Sequence, residues 1–131
     1  MEEDEFFLPG DPPRTTAQEK QVAIVNGKPV FYEPKKIRDA KYQLMQGLYI
    51  FSPETPLEGA IELFVRWQFP SKSHKDGEWK ITRPDTDNLE KLLKDCMTRC
   101  GFWKDDAQVV KETCEKVWSS CSGIYIRYKR I

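Results

Sequence analysis

The run from Gly59 to Phe69, GAIELFVRWQF, constrains the fold more than any other stretch. Ile61, Leu63, Val65, Trp67 and Phe69 alternate with Ala60, Glu62, Phe64, Arg66 and Gln68. Successive side chains of a strand point to opposite faces, so this strand carries one wholly apolar face that has to lie on a core. With 131 residues the chain is one ordinary domain, residues 1–131, long enough to bury that core without staples.

Two segments have helical periodicity. From Asn88 to Cys100, the residues Leu89, Leu92, Leu93, Cys96 and Cys100 fall on one face of an amphipathic helix. Asp87 is its expected N-cap, Gly101 its C′ glycine, and Phe102-Trp103 should pack back on the core. Upstream, Pro34 suits the first position of a helix reaching about Leu48, because its missing N–H would have no partner there. Ile37, Ala40, Lys41, Leu44 and Leu48 form its inner stripe. Lys35, Lys36 and Arg38 crowd its first turn, where cations oppose the helix dipole. A phosphate backbone would explain that placement, and a solvated face accounts for it equally well.

The remaining segments are strands and loops. Met1 to Glu5 reads as an acidic, flexible end, and Phe6-Phe7-Leu8 as a short strand stopped by Pro9-Gly10. Asp11 to Lys20 is expected to be an extended loop. Val22–Val25 and Pro29–Tyr32 flank Asn26-Gly27, a strong hairpin signal because both residues tolerate positive φ. Two prolines set a loop over Ser52 to Glu58, and Ser71 to Lys80 is expected to be a polar, basic, mobile loop. Asp105 to Val117 starts irregularly and its periodicity does not decide between strand and helix. Gly123 to Lys129 alternates as a final strand with one basic face.

Lys plus Arg and Asp plus Glu are both 21, so net charge alone argues for no particular partner and any nucleic-acid surface must come from charge distribution. No window approaches the ~18 apolar residues of a membrane span, and the acidic start is unlike a signal peptide, which points to the cytoplasm. Cys96, Cys100, Cys114 and Cys121 lack the paired CxxC spacing of a structural zinc site. They read as reduced thiols packed as small hydrophobes.

The chemistry concentrates between Arg83 and Gln108, RPDTDNLEKLLKDCMTRCGFWKDDAQ. Asp85 and Asp87 precede the helix, Lys91 lies one turn beyond Asp87, and Asp105-Asp106 follow the glycine stop. If the turn through Phe102-Trp103 folds Asp106 back toward Asp85 and Asp87, three carboxylates converge and repel unless a cation sits among them. Oxygen-only ligation suits Mg²⁺ or Mn²⁺, and such an ion equips a site for phosphodiester hydrolysis, with Lys91 adding positive charge. Capping and a solvated turn would also produce these acidic pairs, and Lys91 pairing with Asp87 or Asp95 is the plain alternative.

Asp85-Thr86-Asp87-Asn88-Leu89-Glu90-Lys91, then Asp95, then Gly101-Phe102-Trp103-Lys104-Asp105-Asp106-Ala107-Gln108-Val109-Val110, closely resembles the signature of RusA-type Holliday junction resolvases, DxDNLxK followed by GxWxDDxQV. Pro9-Gly10-Asp11-Pro12-Pro13 and Tyr32-Glu33-Pro34-Lys35-Lys36 are similar to looser segments of that family. The resemblance implies an α/β (α+β) fold, a small mixed sheet packed with two main helices, in a homodimer without membrane attachment. It further implies a Mg²⁺-dependent endonuclease, common in phages and prophages, that cuts branched DNA, the four-way junction, in recombination and repair. By position, Asp85, Asp87 and Asp106 would be catalytic metal ligands, Lys91 the essential basic residue, and Asp105 a further candidate ligand. Pro84 stands where some members carry a basic residue, leaving Arg83 to supply that charge. The loop at Ser71 to Lys80 has no counterpart in the signature.

Expected DNA contacts are Lys35, Lys36 and Arg38, together with Lys72, Lys75, Lys80 and Arg83. These should share one face with the basic residues from Arg127 to Arg130. A non-catalytic nucleic-acid-binding module with the same fold is the alternative, though a pure binder gains nothing from three carboxylates near DNA. A small-nucleotide phosphohydrolase finds no Walker-type loop in the chain to support it.

Overall fold

A computed structural model describes residues 3–14 and 21–131. Its core is a four-stranded mixed sheet in the order β1-β6-β4-β5, formed by β1 (Glu3–Pro9), β4 (Ile61–Pro70), β5 (Val109–Ser119) and β6 (Gly123–Arg130). β4 runs parallel to β5 and antiparallel to β6, and β1 pairs antiparallel with β6. Two helices, α1 (Lys35–Tyr49) and α2 (Thr86–Arg99), complete the expected mixed α+β architecture.

The alternation in β4 organises this arrangement. Ile61, Leu63, Val65, Trp67 and Phe69 are all fully buried, and they share one core with Leu89, Leu92, Leu93, Cys96 and Met97 of α2 and with Leu44 and Leu48 of α1. Each such side chain contributes about 1.5–3 kcal/mol through burial. Lys41 is also buried on α1, where its Nζ reaches Glu33 at 2.8 Å and Asp95 of α2 at 3.7 Å. The aspartate internal to the motif therefore helps tie the two helices together.

Several expectations need adjustment. α2 starts at Thr86 with Asp85 as N-cap, so Asp87 lies inside the first turn. Pro34 is the N-cap of α1 and not its first residue. The acidic residues 3–5 are not a loose end: they pair with 127–129 of β6, extending β1 beyond its apolar residues. Of the expected loop at 11–20, residues 15–20 lie outside the described part, as do residues 1–2.

β2 (Gln21–Val25) and β3 (Lys28–Tyr32) form the hairpin that Asn-Gly implied, with φ of 53° at Asn26 and 76° at Gly27. They make a separate two-stranded sheet and do not extend the main one. Val22, Ile24 and Val25 on it are exposed. The undecided segment after Asp105 proves to be one 3₁₀ turn, Asp106–Gln108, leading straight into β5. Cys96 and Cys100 pack in the core as small apolar residues, whereas Cys121 is exposed.

The loop expected to be mobile is instead laced to β5. Gly77 N–H donates to Trp118 O at 2.8 Å, Trp118 N–H to Glu78 O at 2.9 Å, and Lys80 N–H to Lys116 O at 3.0 Å. His74 stacks on Trp118 with centroids 4.5 Å apart and pairs with Glu78. The polar sequence concealed this because its anchors are backbone groups, which every residue supplies.

Candidate functional site

α2 carries Thr86, Asp87, Glu90, Lys91 and Lys94 on one side, at the three- and four-residue spacing that puts helical side chains together. They line an open cavity of about 510 Å³ with Asp106, and with Glu112 and Cys114 of β5. Asp87, Lys91 and Asp106, distant in sequence, thus meet at one concavity. Asp85 is exposed at the N-cap and does not line it.

Local structure explains how Asp106 gets there. Gly101, at φ 86°, ends α2 in a Schellman turn: its N–H donates to Thr98 O at 3.1 Å, and Phe102 N–H donates to Met97 O at 3.0 Å. Phe102 and Trp103 are then buried, with Trp103 Nε1 donating to Thr98 Oγ1 at 2.8 Å. Asp105 N-caps the next turn, its Oδ1 accepting from Ala107 N–H at 2.9 Å. Gln108 closes the capping box: its Oε1 accepts from the N–H groups of Lys104 and Asp105 at 3.0 and 3.1 Å. Its Nε2 donates to Leu57 O and Gly59 O at 2.9 and 3.0 Å. Asp105 is thereby occupied as a cap while Asp106 faces the cavity.

The cavity is more acidic than the motif alone suggests. Glu90 is 3% exposed; Trp67 Nε1 donates to its Oε1 at 3.0 Å, and its Oε2 is buried without a hydrogen-bond partner among the described residues. Burial, chiefly, raises the Glu90 carboxyl to about 7; Trp67 and Cys114 act in the opposite sense and Glu112 reinforces the rise. Lys94 reaches Glu112 at 3.1 Å, joining α2 to β5 across the cavity. Cys114 is pushed well upward by burial and by Glu90, so it remains a neutral thiol. Lys91 is exposed and forms no ion pair with Asp87 or Asp95 among the described residues, leaving its charge available to the cavity.

Glu90, Lys94 and Glu112 did not stand out in the sequence as site residues. The signal for the first two was the same spacing that marked Lys91, whereas Glu112 depends on the parallel pairing of β5 beside β4.

The basic candidates differ in accessibility. Lys72, Lys75 and Arg83 are exposed, as are Lys36 and Arg38, and Lys35 is exposed but pairs with Asp39 at 3.1 Å. Lys80 is 4% exposed and donates to Thr82 Oγ1 at 2.5 Å and Arg83 O at 2.6 Å, so it is an interior strut and not a surface cation.

Comparison with known proteins adds an independent line. The family model for endodeoxyribonuclease RusA matches residues 9–129. The chain belongs to that family. It is 35% identical over 117 residues to a crossover junction endodeoxyribonuclease of Lactococcus phage r1t, covering 86% of this chain and 87% of the relative. Matches to the crossover junction endodeoxyribonucleases RusA of Escherichia coli K12 and rusA of Enterobacteria phage 82 are shorter, 61% over 28 residues, 21% of this chain and 23% of each relative.

Among the described residues, no three His, Cys, Asp or Glu side chains stand close enough together to enclose an ion as they are. The donor chemistry nevertheless fits. Asp87, Glu90, Asp106 and Glu112 give the cavity carboxylate oxygens and no imidazole, the set that suits Mg²⁺ or Mn²⁺.

Proposed function

We propose that this chain is a divalent-cation-dependent endonuclease that resolves four-way DNA junctions in the cytoplasm, in recombination or repair, and that it is of phage or prophage type. The observation that carries the reading is the meeting of Asp87, Lys91 and Asp106 at one cavity in a RusA-family chain. Asp87 and Asp106 would hold Mg²⁺ or Mn²⁺, with Asp85 as the third carboxylate from the adjoining segment. When bound, the ion supplies Lewis-acid polarisation of a phosphate oxygen and an acidified water.

The chain's own residues do the rest. Lys91, unpaired with neighbouring acids, offers its ammonium to the charge that builds on the phosphate. Lys94 is retained by Glu112 and so is less free to do the same. Lys72, Lys75 and Arg83 precede the first aspartates and are exposed, which suits attraction of a polyanion toward the cavity. Lys35, Lys36 and Arg38 add positive charge at the start of α1. A homodimer gives two equivalent sites, as cutting two strands of a two-fold symmetric junction requires.

The test is incubation with a synthetic four-way junction and with linear duplex, with and without Mg²⁺, alongside Asp87→Asn. Paired cuts at the junction in Mg²⁺, lost in D87N, are expected. An intact junction under every condition, with tight binding retained, would replace this reading with that of a non-catalytic junction-binding module.

A further inference from the structure

The segment that delivers Asp85 and Asp87 to α2 is held by two lysines. Lys116 of β5 donates from Nζ to Thr82 O at 2.6 Å and to Pro84 O at 2.7 Å. Lys80 donates to Thr82 Oγ1 at 2.5 Å and to Arg83 O at 2.6 Å. Thr82, Arg83 and Pro84 thus each have their carbonyl taken by an ammonium, and Pro84 is itself buried. Among the described residues neither ammonium is paired with a carboxylate.

This arrangement is expensive. Lys80 is buried against the rings of Trp118 and Phe69, 4.5 and 5.1 Å from its Nζ. Burial, then Lys116, then Arg14 all make its proton harder to keep. A buried ammonium beside a half-buried one, without an acid to neutralise either among the described residues, implies that what they hold matters. What they hold ends at Asp85. A segment whose three successive carbonyls are fixed cannot rotate, so the Cα of Asp85 and the first turn of α2 inherit a set position.

We propose that Lys80 and Lys116 are positioning residues for the cation site, clamping Thr82–Pro84 so that Asp87 stays at the cavity, with Asp85 at its adjoining N-cap, despite repulsion from the cavity's other carboxylates. The proposal rests on the reading of these aspartates as cation ligands. The clamp acts through backbone and touches neither cation nor DNA.

Full-length Lys116→Met, Lys116→Arg and Lys80→Met separate the possibilities, each measured well below its own unfolding temperature. Amide hydrogen exchange is read at Asp85 to Leu89, Mn²⁺ affinity by electron paramagnetic resonance, and single-turnover cleavage on a four-way junction beside junction affinity. For K116M, faster exchange confined to this segment, Mn²⁺ affinity weaker by about 10–100-fold and a cleavage rate lower by about 10²-fold are expected, with junction affinity near wild type. K116R, which keeps the charge but not both short contacts, should fall between. Exchange and Mn²⁺ affinity unchanged in both K116M and K80M would overturn the proposal. If K116M does not fold, K80M, which leaves both Lys116 contacts in place, decides by the same criteria. Wild type that neither binds Mn²⁺ nor cuts would sink the catalytic reading separately; the exchange result alone would then decide whether a clamp exists.

Discussion

Trp67 Nε1–H donates to Glu90 Oε1 at 3.0 Å, and the other oxygen of that buried carboxyl has no hydrogen-bond partner among the described residues. The central strand thereby reaches through the core to the wall of the cavity. A carboxyl in this setting is held neutral up to about pH 7, against 4.5 when unburied. Because its folded-state value is raised, the neutral acid's stability is fully present below pH 4.5 and is lost as pH rises through about 7. At 1.36 kcal/mol per unit the loss is at most about 3 kcal/mol. Glu90→Gln keeps the shape and an acceptor for Trp67 without titrating. Urea unfolding at pH 5 and pH 8 should therefore show E90Q gaining on wild type at the higher pH. Parallel stabilities across that range would mean that Glu90 ionises freely in the folded state.

Gln108 should tolerate no isosteric replacement. Its amide donates to two carbonyls and accepts from two N–H groups, joining the Asp105–Gln108 turn to the segment before β4. In Gln108→Glu the donor becomes a carboxylate oxygen facing Leu57 O and Gly59 O. The expected cost is about 1–3 kcal/mol in denaturant unfolding, no less than for Gln108→Ala. A neutral Q108E would show that the Nε2 contacts are not made in solution.

The two adjacent aspartates should separate. Asp105 is spent on the Ala107 N–H, and asparagine caps about as well, so Asp105→Asn should change stability by only a few tenths of a kcal/mol and cleavage far less than Asp106→Asn. Lys91→Met belongs with D106N in function but not in stability. An exposed side chain without an ion pair should cost no more than about 0.5 kcal/mol, while junction cleavage falls by about 10²-fold or more. Equal cleavage by D105N and D106N would remove the distinction drawn between cap and cavity.

How far the chain could be read depended on whether a feature repeats with a regular period. The β4 alternation, the α2 stripe, the Asn26-Gly27 hairpin and the Gly101 stop all declare themselves locally, and the structure contains each. Pattern does not report long-range partners. Lys80 looks like a surface cation in sequence, yet it is buried against carbonyl and hydroxyl oxygens, and the inner-stripe position of Lys41 did not reveal its partners Glu33 and Asp95. The pairing of β5 beside β4, which brings Glu112 and Lys116 to the motif, is likewise a matter of topology. At the site, spacing linked Asp87 to Lys91, but the step from Asp87 to Asp106 needed the buried turn through Phe102 and Trp103.

The exposed cations should reveal themselves in the salt dependence of junction binding. Lys72 and Lys75 lie on the loop laced to β5, exposed and without a carboxylate partner among the described residues, whereas Lys80 on the same loop is sealed inside. If the two exposed lysines meet phosphates, each contact contributes about −0.9 to the slope of log K against log salt on duplex arms. Lys72→Gln with Lys75→Gln should then make the slope shallower by about 2 and weaken binding mainly at low salt. Stability should stay within about 0.5 kcal/mol of wild type, because neither side chain is buried. Lys80→Gln should behave in the opposite manner, losing stability with little change in slope. A slope left unaltered by the double substitution would remove this loop from the DNA surface and leave the start of α1 and Arg83 to carry it.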